Sequence, residues 1–129
     1  MDKAGEETLM GQDVAFLAAI LDSLKEPILV ADTDHVVRYM NRAAVDHYEG
    51  GEELIGRSLL ECHNEASRRV IQETLALLRS GAEERLISED ERRKIYMRGI
   101  RGPDGRLLGY YERFEYTTNG GEKCRNDNG

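Results

Sequence analysis

Apolar side chains recur at helical spacing in the first part of the chain. Between residues 9 and 24 they follow the i, i+3, i+4 pattern that places side chains on one face of an α-helix. This face comprises Met10, Val14, Leu17, Leu21 and Leu24. Three of these positions lie seven residues apart, as in a short coiled-coil seam, and Pro27 ends the pattern. We therefore predict an N-terminal amphipathic helix over residues 1–25, with a frayed start at residues 1–8.

The pattern changes to strands and turns after this helix. Residues 28–31 are a short apolar run, and residues 35–40 contain β-branched and aromatic side chains that favour extended structure. Residues 32–34 predict a turn between them, because aspartate side chains accept hydrogen bonds from nearby backbone amides. Asn41 is a suitable N-cap for a following short helix. These features indicate a β-hairpin followed by a helix.

The longest helical pattern lies in the middle of the chain. Asn64 is a suitable N-cap, apolar residues recur at helical spacing from residue 65 to about residue 80, and Gly81 is a typical C-terminal stop. Short helical turns are predicted before this helix, over residues 52–61.

Three strands follow, over residues 83–88, 92–101 and 107–116. The sequence Gly-Pro-Asp-Gly between the last two is a strong hairpin signal. The last strand carries apolar residues on both faces, so both faces should be covered. The central helices can cover one face. The other face, with Tyr110, Phe114 and Tyr116, is predicted to lie outward against the N-terminal helix or a second subunit.

Length and composition fit one soluble domain of 129 residues. Eighteen Lys and Arg residues against 25 Asp and Glu residues give a net charge of −7, which disfavours binding to nucleic acids or anionic membranes. No apolar run is long enough to span a membrane. Cys62 and Cys124 lack the spacing of a disulfide framework, so a cytoplasmic location is expected. The polar residues 118–129 are predicted to be a disordered tail.

The order of these elements and four local motifs resemble the PAS family. The motifs are the hairpin ILVADTDHVVRYMNRAA, LIGRSL at residues 54–59, GPDGRLLGY at residues 102–110 and Glu-Tyr-Thr at residues 115–117. The resemblance implies an α+β PAS fold at residues 26–117, with a five-stranded antiparallel sheet and with short helices and one longer helix on one face.

The resemblance also implies a role. PAS domains sense signals by holding a ligand between the sheet and the long helix, or by changing the geometry of a dimer. This chain is therefore expected to be a non-enzymatic sensory module of a bacterial type of regulatory protein. Its effector domain or partner protein would lie outside this chain.

Two cofactor classes of the family can be compared with this sequence. Flavin-binding light sensors carry a reactive cysteine shortly after the glycine that corresponds to Gly56, but Leu59 occupies that position here and Cys62 lies three residues later. Oxygen sensors that bind haem use a histidine inside the long helix, where residues 69–71 contain none. Haem could bind only through His63, in a different pose. The cofactor is therefore unassigned, and a flavin photoadduct is disfavoured.

A small-molecule pocket is expected between the sheet and the long helix. The candidate lining residues are Leu29, Met40, Asn41, His63, Val70, Thr74, Ile95 and Met97. His63, Asn41 and Tyr111 are candidate polar contacts, whereas the apolar residues are better explained as core residues. The carboxylates are scattered and lack the spacing of a metal site.

The alternative interpretation is a ligand-free interaction module. In a homodimer, the apolar face of the N-terminal helix and the aromatic residues of the last strand would contact their symmetry mates. A remote alternative is a small enzyme that uses Cys62 and His63. Adjacent residues usually point apart, and the sequence shows no orienting third group. Cys62 is therefore better interpreted as a small buried residue.

Overall fold

A computed structural model describes residues 3–117 of the chain, with side chains from residue 13 onward. The α-helices are α1 (Lys3–Ser23), α2 (Arg42–His47) and α3 (Glu65–Arg79). The strands are β1 (Leu29–Asp32), β2 (Val37–Met40), β3 (Glu84–Glu89), β4 (Arg93–Arg101) and β5 (Leu107–Tyr116). Two short 3₁₀ turns, Gly51–Leu54 and Leu59–Cys62, lie between α2 and α3. The tail expected at residues 118–129 lies outside the described residues.

The five strands form one antiparallel sheet in the spatial order β2-β1-β5-β4-β3. The last strand, β5, lies at the centre and pairs with β1 on one side and with β4 on the other. Apolar residues of α3 and of the second 3₁₀ turn pack on one face of this sheet, which we call the inner face. The opposite face is the outer face. The predicted α+β fold with a five-stranded antiparallel sheet is confirmed.

Local side-chain chemistry explains where these elements begin. Asp32 Oδ1 accepts hydrogen bonds from the backbone amides of Asp34 and Val36, at 2.9 and 3.0 Å, and so closes the turn between β1 and β2. Asn41 and Asn64 cap α2 and α3, each accepting a hydrogen bond of 2.9 Å from the amide three residues ahead. Both predicted N-caps are therefore confirmed.

Aromatic side chains of β5 belong to the inner face. Tyr110 is 1% exposed and Phe114 is 8% exposed. Tyr116 has the same strand parity and stacks on Phe114 with 6.5 Å between the ring centroids. The prediction that these three residues face outward is therefore wrong. Strand alternation groups them as expected. Packing against the helices buries the rings of Tyr110 and Phe114, whereas Tyr116, at the end of the strand, is 57% exposed.

The outer face carries charged and aromatic side chains instead. Glu84 on β3 pairs with Arg98 on β4 and Arg113 on β5, with N–O distances of 3.2 and 3.0 Å. Arg113 also pairs with Glu115 at 2.9 Å and lies over the Tyr96 ring, 4.3 Å from its centroid. These contacts link the strands β3, β4 and β5 across the sheet surface.

The helix α1 is attached to the domain near its C-terminal end. Asp22 accepts a hydrogen bond of 2.9 Å from the Arg42 amide, and the Leu21 carbonyl oxygen accepts one of 2.8 Å from the Asn41 side chain. The earlier apolar side chains point into solvent, with exposed fractions of 65% for Val14, 68% for Phe16 and 58% for Leu17. Apolar residues are therefore exposed on more than one side of α1, and the single apolar face predicted from the sequence is wrong.

The first turn of α1 differs from the sequence expectation. The helix begins at Lys3, whereas the apolar pattern predicted regular helix only from residue 9. Residues 3–8 include alanine and glutamate, which are strong helix formers but do not contribute to a pattern of large apolar residues.

None of the helices in the described part of the chain combines the length and the apolar character needed to cross a membrane.

Candidate functional site

Two cavities lie between the inner face of the sheet and the helical segments. The larger cavity has a volume of about 350 Å³ and is lined by Leu29, Tyr48, Glu49, Gly50, Leu54, Leu59, Cys62, His63 and Glu112. The smaller cavity has a volume of about 240 Å³ and is lined by His63, Ser67, Val70, Ile71, Ile87, Ser88, Ile95 and Glu112. His63 and Glu112 line both, so the two cavities adjoin at these side chains.

Half of the candidate pocket residues line these cavities. Leu29 belongs to the wall of the larger cavity, whereas Val70 and Ile95 belong to the smaller one. His63 borders both. These four residues therefore lie around cavities between β1, α3 and β4, and their role in ligand binding stays a prediction.

Three other candidates are buried in the core. Met40, Thr74 and Met97 belong to neither cavity wall, which corrects their assignment as lining residues. The Thr74 hydroxyl donates to the Val70 carbonyl oxygen at 2.7 Å and accepts a hydrogen bond from Arg85 at 3.2 Å. Core and lining residues have the same apolar pattern, so only the packed structure distinguishes them.

Asn41 is a structural residue and not a ligand contact. Its side chain is fully buried, and its Oδ1 accepts hydrogen bonds of 2.9 Å from the amides of Ile28 and Ala44. Its Nδ2 donates to the carbonyl oxygens of Leu21 and Glu26, at 2.8 and 3.1 Å. Because both donors and both acceptor positions are used, nothing is left for a ligand. The residue joins the end of α1 to β1 and α2.

His63 lines both cavities, and one of its ring nitrogens has no hydrogen-bond partner among residues 13–117. It directly follows the second 3₁₀ turn, and its Nδ1 lies 2.8 Å from the Leu59 carbonyl oxygen. Because a carbonyl oxygen only accepts, Nδ1 carries a proton, and Nε2 is a hydrogen-bond acceptor in the neutral form of the ring. This hydrogen bond fixes the His63 ring next to the start of α3.

Glu112 and Tyr48 are site residues that the sequence analysis missed. Glu112 lies on the inner face of β5, between Tyr110 and Phe114. The Tyr48 hydroxyl donates a hydrogen bond of 2.7 Å to Glu112 Oε1. Burial, together with the adjacent negative charge of Glu112, raises the pKa of Tyr48, so its hydroxyl stays protonated. The sequence did contain a signal for Glu112, because this carboxylate lies on a strand face whose other positions are apolar or aromatic.

Cys62 is exposed, at the edge of the larger cavity. Its interpretation as a small buried residue is therefore wrong, because it ends a 3₁₀ turn at the surface. The Nδ1 atom of the neighbouring His63 bonds to Leu59 and not to the thiol. Within residues 13–117, no group of three His, Cys, Asp or Glu side chains is arranged to hold a metal ion.

The residues expected at a dimer interface fall in two places. Val14 and Leu17 are exposed on α1, Leu21 is half-buried, and Leu24 is exposed directly after the helix. The side chain of Met10 lies outside the described residues. Tyr110 and Phe114 are buried on the inner face and are unavailable to a partner.

Several solved structures share this fold. A C-terminal domain from Streptococcus mutans has a TM-score of 0.67 at 20% identity, over 80% of this chain and 84% of that one. The PAS domain of BvgS from Bordetella pertussis has a TM-score of 0.57 at 21% identity, over 83% and 88%. A sensory box sensor histidine kinase from Vibrio cholerae has a TM-score of 0.56 at 14% identity, over 87% and 97%. At these identities the similarity shows the fold alone.

The comparison of sequences identifies the family. No curated protein matches the chain significantly. A family model described as the PAS fold matches residues 21–119, which include all five strands together with α2 and α3. The match covers well over half of the 129 residues. This chain belongs to the PAS-fold family.

Proposed function

We propose that this PAS domain is a sensory module that binds a small ligand in the two inner-face cavities. The observation that carries the proposal is the junction of both cavities at His63 and Glu112. Mostly apolar walls with a few converging polar groups are typical of sites for small molecules. An effector domain or a partner protein would read the change that the ligand causes.

The size of the site supports a small ligand. The volumes of about 350 and 240 Å³ lie at or just below the lower end of the range of about 300–1,000 Å³ that is typical of ligand pockets. The similar structure from Vibrio cholerae is named as a sensory box of a sensor histidine kinase, which supports the sensory role. The negative net charge and the free thiol are consistent with a cytoplasmic location.

The first test is the native mass and the absorption spectrum of the purified protein. A mass above that of the polypeptide, or a chromophore band, is expected if a ligand is retained. A ligand added at 100 times its Kd should raise the free energy of unfolding by about 2.7 kcal/mol. A protein with the polypeptide mass alone, and with no thermal shift in a broad ligand screen, would contradict ligand sensing.

A matched pair of variants connects binding to the cavities. Val70→Trp places an indole ring in the smaller cavity and should abolish ligand retention. Leu77→Trp adds the same ring on the exposed side of the same helix and should leave retention unchanged. Circular dichroism of both variants verifies folding. Equal retention by both variants would show that the ligand does not occupy the smaller cavity.

The second candidate function is dimerisation through α1. Val14 and Leu17 present uncovered apolar surface at positions compatible with a short coiled-coil seam. A second copy is the fitting partner, because a symmetric contact pairs the same apolar residues with each other. Such a dimer is compatible with ligand binding, since none of the described residues of α1 lines either inner-face cavity.

A further inference from the structure

Glu112 differs from the other carboxylates of the sheet. Glu84 and Glu115 lie on the outer face, and both pair with Arg113. Glu112 lies on the inner face, and within the described residues it has no ion pair. Arg93, on the same face of β4, lies over the Phe114 ring at 5.3 Å from the centroid. Glu112 therefore borders both cavities without an ion-pair partner among the described residues.

Glu112 Oε2 and His63 Nε2, the two polar atoms at the junction that have no donor among residues 13–117, can both accept hydrogen bonds. The Tyr48 hydroxyl occupies Glu112 Oε1, while Oε2 has no protein donor among residues 13–117. His63 uses its Nδ1 proton on the Leu59 carbonyl oxygen, which leaves Nε2 as a lone pair. A ligand that satisfies these atoms must therefore bring hydrogen-bond donors, and a positive charge on it would compensate Glu112.

The remaining surfaces of the site are mostly apolar. Leu29, Leu54 and Leu59 line the larger cavity, and Ile71 and Ile95 line the smaller one. These walls favour a hydrocarbon or aromatic body. The aromatic ring of Tyr48 also lines the larger cavity, and a ring face attracts organic cations. The net charge of −7 raises the local concentration of cations over anions.

We propose that the site takes a small organic cation: a protonated amine with an apolar or aromatic body, whose ammonium group donates to Glu112 and to His63 Nε2. This inference rests on the proposed ligand-sensing function and names its ligand class. The ammonium group would lie at the junction of the cavities, and the apolar body would occupy one of them. A metal ion fits less well, because the described residues provide no group of three suitable ligands.

Three probes of the same shape test the charge requirement. Isothermal titration calorimetry would compare phenethylamine, neutral 2-phenylethanol and anionic 3-phenylpropionate. The amine should bind about tenfold to hundredfold more tightly than the alcohol, as expected for a hydrogen bond to a charged group. The anion should not bind measurably. Equal binding of the amine and the alcohol, or tighter binding of the anion, would overturn the proposal.

Variants of the same strand assign the effect to Glu112. Glu112→Gln keeps the size of the side chain and removes its charge, so the amine should lose its advantage over the alcohol. Glu115→Gln makes the same change on the outer face of β5 and should keep that advantage. Tyr48→Phe removes the hydroxyl that occupies Oε1 but keeps the charge, so the preference for the amine should persist. An unchanged preference in Glu112→Gln would overturn the proposal.

The outcomes separate this inference from the proposed function. If the alcohol binds as well as the amine and Val70→Trp abolishes both, the cavities bind ligands but the cationic class is wrong. If Zn²⁺ binds in a manner that depends on Glu112 and none of the organic probes binds, the amine is excluded in favour of a metal. If no probe binds and the purified protein carries no ligand, both proposals fail.

Discussion

Gly109 is a position where the sheet has no room for a side chain. A Cβ atom there would overlap with the Ala31 carbonyl oxygen of the neighbouring strand β1. We expect Gly109→Ala to lower the free energy of unfolding by about 1–3 kcal/mol, because backbone atoms must move apart. Urea unfolding followed by circular dichroism measures this loss.

The control for this prediction is on the adjacent strand. At Gly99 a Cβ atom would meet the end of the Leu107 side chain at 3.0 Å, and that side chain can rotate away. Gly99→Ala should therefore cost clearly less than Gly109→Ala. Equal losses in the two variants would show that backbone crowding at Gly109 is not the cause.

His35 makes the stability of the domain dependent on pH. Its backbone has a φ of 68°, and its buried ring nitrogen Nδ1 lies 2.7 Å from the Tyr110 hydroxyl. Burial lowers the pKa of His35, and Arg79 lowers it further, although Asp32 and Asp34 act in the opposite direction. Below about pH 6.5, the histidine of the unfolded chain therefore binds a proton, whereas the buried histidine of the folded chain is still neutral. The free energy of unfolding should therefore fall as the pH drops below about 6.5.

The variant His35→Asn isolates this contribution. Asparagine tolerates the left-handed backbone conformation but does not titrate. Denaturant unfolding between about pH 7.5 and about pH 5.5 should show a smaller decrease of stability in the variant than in the original chain. Parallel pH profiles of the two proteins would contradict a role for His35.

Arg101 at the end of β4 holds the C-terminal end of α3. Its guanidinium donates to the carbonyl oxygen of Leu78 in the last turn of α3 and to that of Ala82 just after the helix. Replacement of Arg101 by Met should lower the free energy of unfolding by about 1 kcal/mol, because these hydrogen bonds are lost. Arg106→Met removes the same charge from the same hairpin at an exposed position and should have little effect. A similar loss in both variants would indicate a general charge effect.

The elements that follow from local chemistry were predictable from the sequence. The caps Asn41 and Asn64 and the hairpin at residues 102–105 depend on residues a few positions apart, so a short stretch of sequence contains the whole signal. The orientation of β5 was not predictable in this way. The alternation of side chains along β5 correctly placed Tyr110 and Phe114 on the same face of the sheet. Which face the helices cover depends on where α3 packs.

The candidate site also contains some residues that sequence patterns predict and others that they do not. Leu29, His63, Val70 and Ile95 were found because they belong to elements whose order was recognisable. The contact between Tyr48 and Glu112 joins residues 64 positions apart. No local pattern encodes such a pair, and Met40 or Met97 have the same sequence signature as true lining residues.

The oligomeric state of the whole molecule tests the role of α1. Leu17→Glu places a charge on the exposed apolar side of the helix, so a dimer formed through α1 should dissociate, with the fold retained. Sedimentation equilibrium of both proteins measures the change. Ala19→Glu, at another exposed position of the same helix outside the apolar seam, is the control and should remain dimeric. A chain that is already monomeric before substitution would contradict the dimer.

The central position of β5 in the sheet has a consequence for biosynthesis. A ribosome makes β1 and β4 before β5, yet each of these strands has β5 as its neighbour. Until residues 107–116 emerge, β1 and β4 keep one open edge each, and exposed strand edges are sites of aggregation. The domain is therefore expected to fold only after translation of its last strand, and a nascent chain arrested before residue 107 should depend on chaperones for its solubility.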